Sequence, residues 1–88
     1  MPYVVYVKRS AEKELACLEA EVHQRIIKRL LTLKANPRPP GVRKLGGSDY
    51  YRLRVGDYRI LYTIDEDLQK IEVSAVGHRR EVYRHQLR

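Results

Sequence analysis

Arginine supplies most of the chemistry this chain can offer. Arg52, Arg54 and Arg59 fall inside one short stretch, Tyr50–Ile64. A guanidinium keeps its proton at any ordinary pH and presents a planar fork of N–H donors. It therefore neutralises and orients phosphate well but is a poor general base. Further along, Gly77-His78-Arg79-Arg80-Glu81-Val82-Tyr83-Arg84 concentrates charge around a titratable histidine, just after a strand; the alternative is a plain charged tail. The chain has seven tyrosines and neither Trp nor Phe. Most of these rings suit an amphipathic core, while Tyr50 and Tyr83 could stack on nucleic-acid bases.

Other chemistries find little support in the sequence. His23, His78 and His85 are dispersed, and no pair has the spacing of metal ligands, so neither a metal nor a cofactor is expected. The single cysteine, Cys17, reads as a core or boundary residue of a helix rather than a nucleophile, and it points to a reducing compartment. Gly46-Gly47 lacks the surroundings of a phosphate loop and reads as a turn. The net charge of +7 and a pI near 9.8 favour a polyanionic partner: nucleic acid, a ribosome or an acidic protein. No membrane span or leader pattern is expected, which gives a cytoplasmic location by default.

The elements that must position the arginines follow from the hydrophobic pattern. With 88 residues, 43% hydrophobic and 33% charged, the chain reads as a single domain, 1–88. Tyr3–Val7 is a nearly continuous apolar run, expected to be a strand buried on both faces. Ser10 offers an N-cap, and Ala11, Leu15 and Leu18 give a first helix over about residues 10–20. Val22, Ile26, Leu30 and Leu33 form the stripe of a second helix running to about Ala35, stopped by Pro37. Asn36–Gly47, with its prolines and glycines, reads as a loop whose Arg38, Arg43 and Lys44 belong to the functional edge. Three strands follow, Tyr50–Val55, Tyr58–Ile64 and Ile71–Val76, and the tail Arg80–Arg88 could form one or two helical turns. The expected fold is α+β: an N-terminal strand and helical hairpin packed on an antiparallel β-sheet, in the order β-α-α-β-β-β.

Gly56-Asp57 is a two-residue loop of the kind that closes a tight hairpin. With that loop, Val55 faces Tyr58, Leu53 faces Ile60 and Tyr51 faces Tyr62, an apolar face that belongs on the helices. The other face carries Tyr50, Arg52, Arg54, Arg59, Leu61 and Thr63, with Arg54 and Arg59 directly opposed. Like charges so placed cost roughly 0.2–1 kcal/mol. Two readings follow: a solvated face neutralised by Glu72 or by Asp65-Glu66-Asp67, or a surface built for an anion.

Taken together, several segments resemble the RelE/ParE toxin superfamily, closest in motif to the RelE type. They are Lys44-Leu45-Gly46, Tyr51-Arg52-Leu53-Arg54, Gly56-Asp57-Tyr58-Arg59-Ile60-Leu61-Tyr62, Val76-Gly77-His78-Arg79 and Glu81-Val82-Tyr83. The resemblance implies a metal-independent endoribonuclease that cleaves mRNA in the ribosomal A site by attack of a 2′-hydroxyl on the adjacent phosphate. It also implies a cognate RelB-like antitoxin, through which operator DNA is bound indirectly. By position, Arg52, Arg54, Arg59, Arg79 and Tyr83 become the catalytic candidates. His78 joins them as the neighbouring histidine, a candidate for proton transfer. Lys44, Arg43, Tyr50, Arg80 and Arg84 are candidates for contacts with RNA or the ribosome. Lysines also occur in the family where this chain has Arg52 and Arg54. Two further readings remain open: a ParE-like DNA gyrase inhibitor without nuclease activity, and a degenerate toxin that acts only in antitoxin-dependent operon repression.

Overall fold

The computed structural model describes residues 3–78. They form β1 (Val4–Val7), α1 (Arg9–Ala16), α2 (Ala20–Ala35), β2 (Arg43–Lys44), β3 (Tyr51–Val55), β4 (Tyr58–Asp65) and β5 (Lys70–His78). The strands make one sheet in the order β1-β5-β4-β3-β2. This is the expected α+β arrangement, with two additions. The sheet is mixed, because β1 runs parallel to β5, and β2 adds a two-residue strand inside the stretch expected to be loop. A pair of residues is too short to leave a strand signature in the sequence.

β1 is an edge strand, and burial on both faces is therefore corrected. Val5 and Val7 pack on the core, whereas Val4 is 64% and Tyr6 51% exposed on the far side of the sheet. The expected Ser10 cap is also corrected. The Lys8 N–H donates to the Val73 carbonyl, and the Lys8 carbonyl accepts from the Glu12 N–H, so the chain turns into α1 at Lys8. Ser10 lies within the helix, which ends at Ala16. α2 matches its apolar stripe, burying Ile26, Leu30 and Leu33.

The β3–β4 register follows the expected pairing at every position from Tyr51↔Tyr62 to Val55↔Tyr58. Gly56 has φ +60, the left-handed region that the first position of a type II′ hairpin turn requires. The β4–β5 ladder then slips between Leu61, paired with Ala75, and Tyr62, paired with Val73, which leaves Ser74 as an extra residue in β5. Below this bulge Ile71 and Val73 face the helices; beyond it Val76 does.

The loop after α2 is tied down beneath the sheet. The buried Tyr62 hydroxyl donates to the Pro37 carbonyl (2.7 Å), and the Tyr62 ring stacks on Tyr51 at 5.8 Å. Arg38 donates through Nε to the Tyr51 hydroxyl (3.2 Å) and through Nη2 to Glu66 Oε1 (2.6 Å), while the Tyr3 hydroxyl donates to Glu66 Oε2 (3.0 Å). This strap joins β1, the loop, β3 and the β4–β5 turn. It also removes Arg38 from the functional edge, where it was expected.

The strap makes stability depend on pH. The bonds from Arg38 and then Tyr3 hold the Glu66 carboxyl below the usual range, and the bond to Glu66 raises the Tyr3 hydroxyl. A depressed carboxyl stabilises the fold above its unfolded pKa and loses that contribution as pH falls through the folded value. A raised phenol loses its contribution on the alkaline side. Urea midpoints of Glu66→Gln should lie below wild type at neutral pH and converge with it in strong acid. A constant gap down to pH 2 would contradict the assignment.

The bulge gives a second expectation. The Ser74 hydroxyl is buried and has no hydrogen-bond partner among the described residues. Ser74→Ala should therefore leave stability unchanged or raise it by up to about 1 kcal/mol, read from denaturant unfolding.

Candidate nucleic-acid interface

The sheet has one face under the helices and one turned away from them, and its register decides which side chains share the second. Arg54 pairs with Arg59, and Arg59 with Gly77, forming one row across β3, β4 and β5. Arg43 pairs with Arg52, Arg52 with Leu61, and Leu61 with Ala75, forming the next. Four guanidinium groups thus occupy two adjacent rows, separated along the strand by about 6.6–6.8 Å. Arg59 is only 6% exposed, whereas Arg54 and Arg43 are open to solvent. Gly77 places no side chain across from Arg59.

Beside the arginines lies a small apolar floor. Leu61 and Ala75 are buried there, with Leu45 and Tyr50 packed against them. The Leu45–Tyr50 turn is closed by the Leu45 N–H donating to the Tyr50 carbonyl (2.9 Å) and by Ser48 Oγ donating to the Leu45 carbonyl (3.1 Å). This holds the Tyr50 ring next to the cationic rows, where charge for phosphate and a flat surface for a base or ribose adjoin.

Of the carboxylates expected as neutralisers, Glu72 pairs with Thr63, in the row next to Arg52–Leu61 and two rows from Arg54–Arg59. Glu66 is engaged by Arg38 and Tyr3, and Asp65 accepts the Leu68 N–H (3.0 Å). Among the described residues, no group of three His, Cys, Asp or Glu side chains is arranged to hold a metal ion.

Two expected members fall outside this cluster. His78 pairs with Tyr58, whose ring it meets edge-on at 5.9 Å, and both line a cavity of about 480 Å³ with Glu14, Cys17 and Leu18. His78 is therefore on the helix side, away from the arginines, because the Ser74 bulge reverses the alternation of β5. Cys17 lies at the mouth of that cavity and is exposed, a boundary residue and not a core one. Lys44 pairs with Tyr51 and shares its side of the sheet edge, near Arg38. Arg79, Arg80, Tyr83, Arg84 and the C-terminal helix lie outside the described residues.

One cationic residue was missed. Arg29 of α2 lines a cleft of about 320 Å³ with Arg43, Arg52 and Arg54. Its helical position between Ile26 and Leu33, at the border of the apolar stripe, was the available signal.

A small basic domain that covers one sheet face with a helical hairpin and arms the other with arginines is the class defined here. Residues 5–83 match the family described as the ParE toxin of the type II toxin–antitoxin system parDE. A RelE-like toxin protein of Escherichia coli is 32% identical over 81 residues, 90% of this chain and 85% of the relative. The archaeal RelE of a RelE–RelB complex from Pyrococcus horikoshii superposes with a TM-score of 0.81 at 29% identity, covering 90% of this chain and 97% of that one. A mutant E. coli RelE toxin in the free state gives 0.81 at 26% identity, with 96% and 93% covered. The chain belongs to the RelE/ParE superfamily of type II toxin–antitoxin toxins.

The Arg54–Arg59 pair carries an expectation of its own. Removing one of two directly opposed charges should stabilise the fold, so Arg54→Thr should gain roughly 0.2–1 kcal/mol at low ionic strength. The gain should shrink in high salt as the repulsion is screened. Denaturant midpoints at two salt concentrations would show it, and a loss of stability at low salt would oppose it.

Proposed function

We propose that this protein is the toxin of a type II pair and acts as a ribosome-dependent endoribonuclease, cleaving mRNA in the A site without a metal. The observation that carries the proposal is the pair of arginine rows beside the Leu61–Tyr50 floor, with no carboxylate among the side chains of those two rows. The 2′-hydroxyl oxygen of the message attacks the neighbouring phosphorus, and the bond from phosphorus to the 5′-oxygen breaks. A cyclic phosphate and a 5′-hydroxyl result. Arg54, Arg59 and Arg79 clamp the phosphate and stabilise the charge that grows on its oxygens. Arg52 and Arg43 guide the strand for in-line attack, and Tyr50 and Tyr83 hold bases. Lys44, Arg80 and Arg84 extend the contact with RNA and ribosome. His78 is not assigned to proton transfer, because its place in β5 directs it toward α1.

The partner is a RelB-like antitoxin that covers this face, represses the operon through its own DNA-binding segment, and holds the toxin inactive in the cytoplasm. Solved relatives support the partner, since RelE structures 26–29% identical to this chain contain RelB or a RelB peptide. The match to a family described as ParE favours a second reading, inhibition of DNA gyrase without RNA cleavage.

Translation of a defined message, with new 5′ ends mapped, separates the two. Cuts confined to ribosome-bound message should appear and should fall about 100-fold or more in Arg59→Ala and Arg79→Ala, the loss expected for an electrostatic stabiliser. An intact message together with trapped gyrase–DNA complexes would reject the nuclease reading.

A further inference from the structure

The cleft that holds Arg29 lies over the β2 edge of the sheet. Its four arginines come from three elements: Arg29 from α2, Arg43 from β2, and Arg52 and Arg54 from β3. Pro40 and Gly41 wall it on the loop side, and among the described residues no acidic side chain lines it. β2 stops at the Arg43↔Arg52 pair, so beyond it Leu53 and Arg54 border the cleft without a neighbouring strand on that side. Helix geometry supplies no counter-ion to Arg29: the residues three and four positions away are Ile26, Arg25, Thr32 and Leu33. Arg29, Arg43 and Arg54 bring like charges around one small cleft, and a bound anion offsets their repulsion.

The spacing indicates which anion. Arg52 and Arg54 are two residues apart on one strand, about 6.6–6.8 Å, close to the step between successive phosphates of an extended RNA strand. A message whose scissile phosphate lies at Arg54 and Arg59 thus brings an adjacent phosphate to the neighbouring row and the cleft. We infer that Arg29 and Arg43 form a second phosphate subsite that grips the RNA backbone next to the cleavage position. The inference rests on the proposed nuclease reading for its substrate, and its subsite is defined independently by the cleft. Arg29 is a binding residue in this scheme; the reacting phosphate belongs to the hairpin arginines.

The test uses Arg29→Gln, with Arg29→Lys to restore the charge. Fluorescence anisotropy would follow binding of 2′-O-methyl oligoribonucleotides three and six nucleotides long to the free toxin across a salt series. Arg29→Gln should bind the longer RNA about ten-fold more weakly, the equivalent of one charge-assisted hydrogen bond. Its salt slope should fall by about 0.7, one phosphate contact, and Arg29→Lys should recover most of both. On programmed ribosomes the loss should fall on KM rather than kcat. Unchanged thermal melting would show that the variants fold. Hexamer affinity and slope equal to wild type would overturn the subsite, as would a wild-type protein that binds neither RNA. A variant weakened only toward an antitoxin peptide would overturn it in favour of a protein carboxylate. Wild type that binds RNA through Arg29 but never cuts a message would sink the nuclease reading alone and leave the subsite standing.

Discussion

An extra residue in β5 organises the sheet. Ser74 has no place in the ladder with β4, and its insertion reverses the side on which every later residue of that strand lies. Val76 thereby joins Ile71 and Val73 against the helices, and Gly77, not a larger side chain, comes to lie across from Arg59. A bulge leaves a ladder locally broken and here also buries a hydroxyl without a partner among the described residues. The return is a continuous core beneath β5 and a clear row for Arg59 above it. The Glu14 carboxylate accepting the Val76 N–H (2.9 Å) ties α1 to the strand just past the bulge.

The arginine face opposes the interests of the fold. Arg54 against Arg59 and Arg43 against Arg52 are like-charge pairs at cross-strand positions, where opposite charges or apolar partners would stabilise. The stability is recovered on the other side of the same strands. There Leu53, Ile60 and Tyr62 are fully buried, Tyr62 stacks on Tyr51, and the Arg38–Glu66–Tyr3 strap closes the end. A strand places successive residues on opposite faces, so one hairpin can hold a cohesive face and a repulsive face back to back. Local rules broken in one place and obeyed next door are the expected signature of a functional surface.

That division was legible wherever it depended on local pattern. Gly56-Asp57 and the alternation on either side set the register of β3 and β4 residue by residue, and with it the company of Arg52, Arg54 and Arg59. The stripe from Val22 to Leu33 set α2. What could not be read is tertiary. Ser74 carries no glycine or proline to mark a bulge, so alternation counted from Ile71 and Val73 would put His78 beside the arginines. Arg43 and Lys44 become a strand only because β3 is there to pair with. Arg38 looks like another surface cation until Glu66 and Tyr51 close around it. Arg29 borders the apolar stripe of α2, but only the packing of α2 on the sheet edge shows which arginines it joins.

The superfamily's two names, ParE for the matching family and RelE for the superposed structures, fit one physical picture. A shared fold sets the helix-covered core, and the activity depends on what the remaining face presents. The core-side residues of this hairpin serve any target equally, since Leu53, Ile60 and Tyr62 never meet one. On the proposed reading, choice of target lies in the two arginine rows, the Leu61–Ala75 floor and the cleft by Arg29. A protein target would be matched by apolar anchors at the centre of the face with charge at its rim. Here the Leu61–Ala75 floor lies on β4 and β5, inside the sheet, and the arginines run from the β2 edge across β3 to Arg59 of β4. On the proposed nuclease reading one ligand occupies both parts of the face, its phosphates on the arginines and its bases on the floor beside Tyr50.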